Sequence, residues 1–444
     1  MQGWIKKGIW IIGILSFLSY CTPQTAQNAT GSSNASNQNS PKKELFYEDY
    51  IYEDRIKTVQ FYPSGSNPTD VMSPPVINIA QYAPLILEFD DLGKEYCNYY
   101  AKLYHCNFNW QRSSYTDLQF VSDINETMIQ NYTTSINTKV RYSHYSYTIP
   151  RVKISGNYLL IVYRNGNMDD VVITRRFVTY SPLVQVNDSV MAAIKVQDRN
   201  SRQQVDCIVT YGLYEIPNPQ DVRVVLRQNF RWDNAIVLTE PQYIQFDKKS
   251  LDYSFFDSRN TFGGGNEFRY FDIRNLRAKG MNVSTYANTD TTNTITLVSD
   301  KQRNSQTYSE QIDINGKYVI QRLEATDDRI EADYANVLFT LNVPPDFQGD
   351  VYVGGQLTDW QLRAPYKMSY NQEKGAYELV LLLKQGFYNY QYCLVANQKA
   401  DWAYFEGNYS ATENFYDIIV YYRLPNQFND IVIGYASVDY RGRN

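Results

Sequence analysis

A chain of 444 residues and 51.7 kDa exceeds any single small module, and an apolar fraction of 43% with 15% aromatics excludes wholesale disorder. Its formal charge of −5 lacks the basic excess that a nucleic-acid binder uses against phosphates, and two histidines, His105 and His144, are too few for most zinc sites and His-paired nucleophiles. The 41 Tyr far outnumber the 20 Phe, and such amphipathic rings suit half-buried pleated surfaces, so the expected fold class is all-β.

At the N-terminus, Lys6 and Lys7 precede an apolar run over 8–18, too short for a bilayer core that needs about 20 residues and therefore read as a signal peptide over 1–21. Removing it leaves 40 bases against 47 acids, a charge of −7. Leu18-Ser19-Tyr20-Cys21 resembles a bacterial lipobox, whose Cys becomes the acylated first residue of the mature protein; Tyr20 departs from the small residue usual there. Cys21 is the expected lipid attachment site, and the other reading is an ordinary cleaved signal peptide. Uncharged Thr, Gln, Ala, Asn, Ser and Gly then dominate, giving a flexible tether over 22–43 with a typical reach of roughly 25 Å. Cys97 and Cys106 fall in one extended segment that would hold them on opposite sides about 30 Å apart, too far for a bridge, and Cys207 and Cys393 sit in apolar runs and are expected as buried free thiols.

Alternation of apolar and polar residues, broken by turn residues, predicts strands at 56–62, 84–90, 96–108, 158–164 and 171–178, with a more irregular stretch over 114–132. Ser181-Pro182 closes this first β-sandwich, expected at 44–181. A second series at 190–196, 205–211, 222–230, 243–246, 262–271 and 294–298 predicts a middle β-domain at 182–328. Its Gly263-Gly264-Gly265 is followed by no Lys-Ser/Thr pair, so it reads as a bulge or wide turn instead of a phosphate loop. The third series, 337–342, 351–354, 377–383, 388–395 and 416–422, has the spacing of an immunoglobulin-like sandwich at 329–425, leaving 426–444 as a C-terminal tail. The whole is thus expected as tandem β-sandwich domains.

Few side chains invite chemistry. Glu88, Asp90 and Asp91 cluster at a strand end and read as a solvated edge in preference to an acid/base pair. His105 and Cys106 are adjacent on a strand and face opposite sides, while Tyr142, Tyr145 and Tyr147 around His144 predict a packed polar-aromatic surface. No motif requires a cofactor or a metal, and the chain does not read as an enzyme.

Two resemblances give the chain a role. Val351-Tyr352-Val353-Gly354-Gly355, Asp359-Trp360 and Gly386-Phe387-Tyr388-Asn389-Tyr390 look like the early-set sandwiches that accompany starch-active enzymes, which makes Trp360 and Trp402 candidate sugar platforms. Over roughly residues 50–440 the chain resembles the type IX secretion plug protein family of Bacteroidetes. The motifs are Lys57-Thr58-Val59-Gln60, Phe89-Asp90-Asp91-Leu92, His105-Cys106-Asn107 with Trp110, Ser135 with Asn137-Thr138, His144-Tyr145, Gly156-Asn157-Tyr158-Leu159 and Arg175-Arg176-Phe177. They continue with Gln228-Asn229 and Arg231-Trp232, Asn266-Glu267-Phe268-Arg269, Ala332-Asp333-Tyr334, Leu383-Lys384-Gln385-Gly386, Tyr388-Asn389-Tyr390, and Thr412-Glu413-Asn414 with Tyr416.

That resemblance implies a subunit that closes the periplasmic opening of a large outer-membrane translocon β-barrel by reversible protein contact. It supplies no catalytic residues. The partner is then the barrel, with the lipid anchor holding the protein to the periplasmic face of the outer membrane and no nucleic acid involved. The competing role is an outer-membrane carbohydrate-binding lipoprotein using Trp360 and Trp402.

Overall fold

The computed structural model describes residues 42–442, apart from 66, 67 and 82. The expectations for the signal peptide, Cys21 and nearly all of the tether lie outside those residues. Lys43, placed at the tether's end, belongs to the folded body: its ammonium lies 2.6 Å from Glu53 and 2.6 Å from Asp170.

Six sheets pair into three sandwiches. In the first, one sheet has Tyr50–Ile51, Val171–Tyr180, Gly156–Arg164, Tyr99–Cys106 and Glu126–Met128 in spatial order, with Val76–Asn78 beside Val171–Tyr180. Its partner runs Ile56–Pro63, Leu85–Asp91, Ser143–Thr148, Asn131–Thr134. Leu85, Leu87 and Phe89 alternate toward the core, where they join Leu103, Tyr158, Leu160 and Val162. Gly156–Arg164 is instead an unbroken apolar run, because both of its faces are covered: Leu159, Ile161 and Tyr163 pack against Leu45, Tyr47 and Tyr52.

The middle sandwich sets Gln185–Ala192, Arg202–Thr210, Ser250–Asp252 and Tyr243–Gln245, with Thr261–Gly263 on Arg202–Thr210, against Ile236–Leu238, Val222–Gln228, Asn414–Arg423 and Asp430–Tyr440. In the third, Gly386–Ala396 pairs with Arg269–Asp272, Tyr318–Ile320, Asp350–Gly354 and Lys399–Asp401. Facing it are Val283–Asn288, Asn293–Leu297, Tyr334–Asn342, Ala376–Lys384 and Ser369–Asn371, with Asp300–Lys301 on Tyr334–Asn342.

The expected boundaries at 328 and 425 do not follow these pairings. Asn293–Leu297, assigned from sequence to the middle domain, pairs in parallel with Tyr334–Asn342 of the third sandwich. Asn414–Arg423, assigned to the third, pairs with Val222–Gln228, and the expected tail carries Asp430–Tyr440, its next neighbour in the same sheet. The third sandwich is therefore inserted into the middle one. Alternation marks which residues face a core, and it carries no information on which strand lies alongside.

Candidate functional site

Residues from several of the quoted motifs meet at three joints between the sandwiches. At the first joint, Leu85–Asp91 buries its apolar alternates in its own sandwich and turns Asp90 to the third. Asp90 Oδ2 accepts from Lys384 Nζ at 2.6 Å and from the Tyr334 hydroxyl at 2.7 Å, while its Oδ1 lies 2.7 Å from His144 Nδ1. Thr58 reaches the same Tyr334 hydroxyl at 2.7 Å, and Tyr62 donates to Glu88 at 2.6 Å. Asp333 accepts from the backbone N–H of Lys139 and Val140 at 2.9 and 3.1 Å, tying a first-sandwich loop to the third sandwich.

Glu88, Asp90 and Asp91 are buried, which corrects the solvated edge expected for them: the third sandwich covers the face of Glu88 and Asp90, and Asp91 turns into its own sandwich. Asp91 is held within its own sandwich by both guanidinium nitrogens of Arg55 at 2.7 Å and by the Tyr99 hydroxyl at 2.8 Å. Burial pushes the Asp90 carboxyl up, but Lys384 and His144 outweigh it and hold it below the usual 3.8. For His144 burial pushes down, and its contacts with Asp90 and Glu88 outweigh that and hold it above 6.5. Lys384, whose ammonium burial lowers from its ordinary 10.5, and His144, when protonated, thus face one carboxylate, which joins first and third sandwiches by charge.

At the second joint all three sandwiches contribute cations and rings. Trp110 and Trp232 meet edge to face at 4.8 Å; Arg176 lies 4.5 Å from the Trp110 ring and Arg227 4.2 Å from Trp232. Arg227 forms a buried ion pair with Asp417 on the neighbouring strand. Arg231, paired with Asp233 at 2.6 Å, covers Trp360 at 4.0 Å and Trp402 at 4.8 Å. Desolvated cation–ring contacts of this kind contribute about 2 kcal/mol each. Trp110, Phe230 and Trp360 have φ of 65°, 60° and 59°, a left-handed backbone rarely adopted by bulky residues, and each lies at this junction.

Trp360 and Trp402 lie together, half-buried, with rings 5.7 Å apart and 75° from coplanar. Gly316 and Gly354 make room for them: a Cβ there would fall 2.7 Å from the Trp360 ring and 2.4 Å from the Trp402 ring. The rings thus meet Arg231 and two glycine backbones, an arrangement that fastens the third sandwich to the middle one.

The third joint is where the chain crosses into the inserted sandwich and returns. A Cβ on Gly264 would lie 2.0 Å from the Tyr409 carbonyl oxygen, so the outgoing and returning strands touch backbone to backbone. Asn414 donates to the Gly264 carbonyl at 2.7 Å and to Gln203 at 3.0 Å, and Asn229 donates to Asn414 at 2.8 Å. Just beyond, buried Glu406 accepts from Arg269 at 3.0 Å and Arg303 at 2.6 Å. This close approach is the job of the triple glycine.

Of the remaining expectations, His105 is buried against Gly156, and burial pushes its imidazole down to about 4. Cys106 points into the cluster on the other face, and Cys207 and Cys393 are buried free thiols. Two determinants went unread in the sequence: Arg227 with Asp417, and Lys384 as the partner of Asp90. The first had a signal, since Arg227 and Asp417 stand directly beside the apolar runs VVL and IIV of their strands, VRVVLRQ and NFYDIIVYYR. The second had none.

Three interlocked β-sandwiches whose distinctive residues are spent on joints define a rigid, multi-layered β-protein. Residues 56–181 match the family model described as the type 9 secretion system plug protein 1st domain, a span holding all of the first sandwich but its opening strand. A solved structure of a hypothetical protein from Parabacteroides merdae ATCC 43184 superposes with a TM-score of 0.84 at 31% identity, covering 89% of this chain and 100% of that one. No curated protein matches. The chain belongs to the type IX secretion system plug protein family.

Proposed function

We propose that this protein closes the periplasmic opening of the large outer-membrane translocon barrel of the type IX system by reversible contact, without catalysis, and is held at the membrane by a lipid on Cys21. The family match over residues 56–181 carries this reading. A stopper must resist deformation, and the three joints supply that by coupling every sandwich to the other two. It must also leave its seat, which suits a polar, wet contact better than an obligate apolar one. Leu118 on the short helix Asp117–Phe120 and Ile124 and Phe428 on loops are exposed, in segments linked by Ser114–Asn429 and Tyr115–Gln427 hydrogen bonds, and they offer a few apolar contact points within a polar surface.

Tagged protein recovered from outer membranes in mild detergent is expected to bring down one very large β-barrel, and Cys21→Ser is expected to shift uncomplexed protein to the soluble periplasmic fraction. Recovery without any barrel would overturn the stopper; unchanged membrane association of the Cys21→Ser variant would overturn the lipid.

A further inference from the structure

Closing the first joint takes two carboxylates of the first sandwich out of water, Glu88 at 6% and Asp90 at 0% exposure, and the third sandwich answers with one buried cation. That cation, Lys384, lies 2.6 Å from Asp90. What the third sandwich offers Glu88 is Arg329, on the short helix Asp328–Glu331; it stands 4.0 Å away, more than half exposed, and is held by Asp327 at 2.8 Å. The hydroxyls of Tyr62 on Glu88 and of Tyr334 on Asp90 add hydrogen bonds without charge. The second buried cation must come from the first sandwich itself, and His144 is placed to be it: Nδ1 is 2.7 Å from Asp90 and Nε2 3.5 Å from Glu88. A buried carboxylate without a counter-charge is strongly disfavoured, whereas in an open joint Glu88 would face water and require no partner. Closure is therefore coupled to the imidazolium. The like charge of Lys384 opposes it, with the Asp90 carboxylate between the two.

Backbone groups that cross the joint surround this cluster. The Ile136 N–H donates to the Ile330 carbonyl at 2.9 Å, beside the Lys139 and Val140 N–H groups on Asp333. Lys384, whose ammonium lies 4.2 Å from the Tyr142 ring, donates to the Arg329 carbonyl at 2.7 Å, and the Tyr142 hydroxyl donates to the Ala332 carbonyl at 2.7 Å. We propose that His144 is a proton-controlled latch between the first and third sandwiches: its imidazolium holds the joint closed, and its deprotonation frees the loop 135–142 from the helix Asp328–Glu331. The direction of its titration agrees. Despite burial, Asp90 and Glu88 hold His144 above 6.5, so its contribution to closure is fully present below 6.5 and lost as pH rises through the folded value. The chain's other histidine, His105, is pushed by burial down to about 4 and leaves that window to His144 alone. The latch concerns how the body holds itself together and stands whether or not the body closes a barrel.

Two measurements on the full chain in mild detergent test it. Imidazole NMR with isotope-labelled histidine is expected to show one ring titrating with a midpoint above 6.5 and the other neutral throughout. Hydrogen exchange is then followed one pH unit below and one above that midpoint, corrected for intrinsic rates. Amide protection over 135–142 is expected to be about five- to tenfold greater below it, as a single coupled proton allows. In His144→Asn, which keeps a donor for Asp90 and carries no charge, and in Glu88→Gln, which removes the need for a second cation, this difference is expected to vanish; a merely structural role would lower protection equally on both sides and leave the difference in place. A midpoint at or below 6.5, equal protection on both sides in the wild-type chain, greater protection above the midpoint, or an undiminished difference in both variants would each overturn the latch.

Discussion

Replacing Lys384 by Met is expected to lower the unfolding free energy by about 3–5 kcal/mol at neutral pH, as breaking a buried ion pair from one side does. Lys384 and Asp90 side chains are both only 1% exposed, so water cannot compensate the carboxylate that remains. What remains beside it is the Tyr334 hydroxyl and His144, which makes the loss pH-dependent. The folded pKa of His144 is raised, so its contribution is fully present below 6.5 and lost as pH rises through the folded value. The folded pKa of Asp90 is lowered, so its contribution is present above 3.8 and lost as pH falls through the folded value. The Lys384→Met defect should therefore be smaller at pH 6, below the folded pKa of His144, than at a pH above that folded value, where Asp90 keeps no cation. Urea unfolding at the two pH values checks this; an equal or negligible defect would mean that the pair does not join the sandwiches energetically.

Ending the chain after Pro425 is expected to abolish cooperative folding of the middle sandwich. Asp430–Tyr440 pairs along the length of Asn414–Arg423 and buries Val432 and Ile433 completely. Two such side chains contribute about 1.5–3 kcal/mol each. The truncation also removes the Arg423–Asp430 ion pair at 2.9 Å and the Asp430 N–H bond to Asn107 at 3.0 Å, which ties this strand to the first sandwich. Together these approach the whole stability of a typical domain, about 5–15 kcal/mol. Limited proteolysis should cleave the truncated chain within 185–263 while the intact chain resists. A truncated chain that unfolds with the intact midpoint would return 426–444 to the status of a tail.

These effects were only partly legible in the sequence. Strands such as Leu85–Asp91 and Val222–Gln228 announce themselves by alternation, because a half-buried pleat demands it. Their partners do not. Asp90 at a strand end has one sequence signature whether water faces it or a lysine 294 residues further on, and only the folded arrangement distinguishes the two. The tyrosines show the same gap. Their hydroxyls suggested wet surfaces, yet Tyr99, Tyr158, Tyr388 and Tyr416 are fully buried and end on Asp91, two backbone carbonyls and Gln203. They serve as core residues whose polar tips are satisfied inside. The motifs within 56–181 were legible as those of the family's first domain, and the structure gives several of the quoted residues a physical meaning: Trp110, Trp232 and Trp360, far apart in sequence, meet at one junction.

The stopper role rests most directly on whether the barrel leaks without it. Deleting the gene should raise entry of a large, normally excluded antibiotic such as vancomycin across the outer membrane, with wild-type protein restoring the barrier and the chain ending at Pro425 failing to do so. Unchanged permeability in the deletion strain, with the translocon barrel present at its normal level, would contradict closure of the periplasmic opening by this protein.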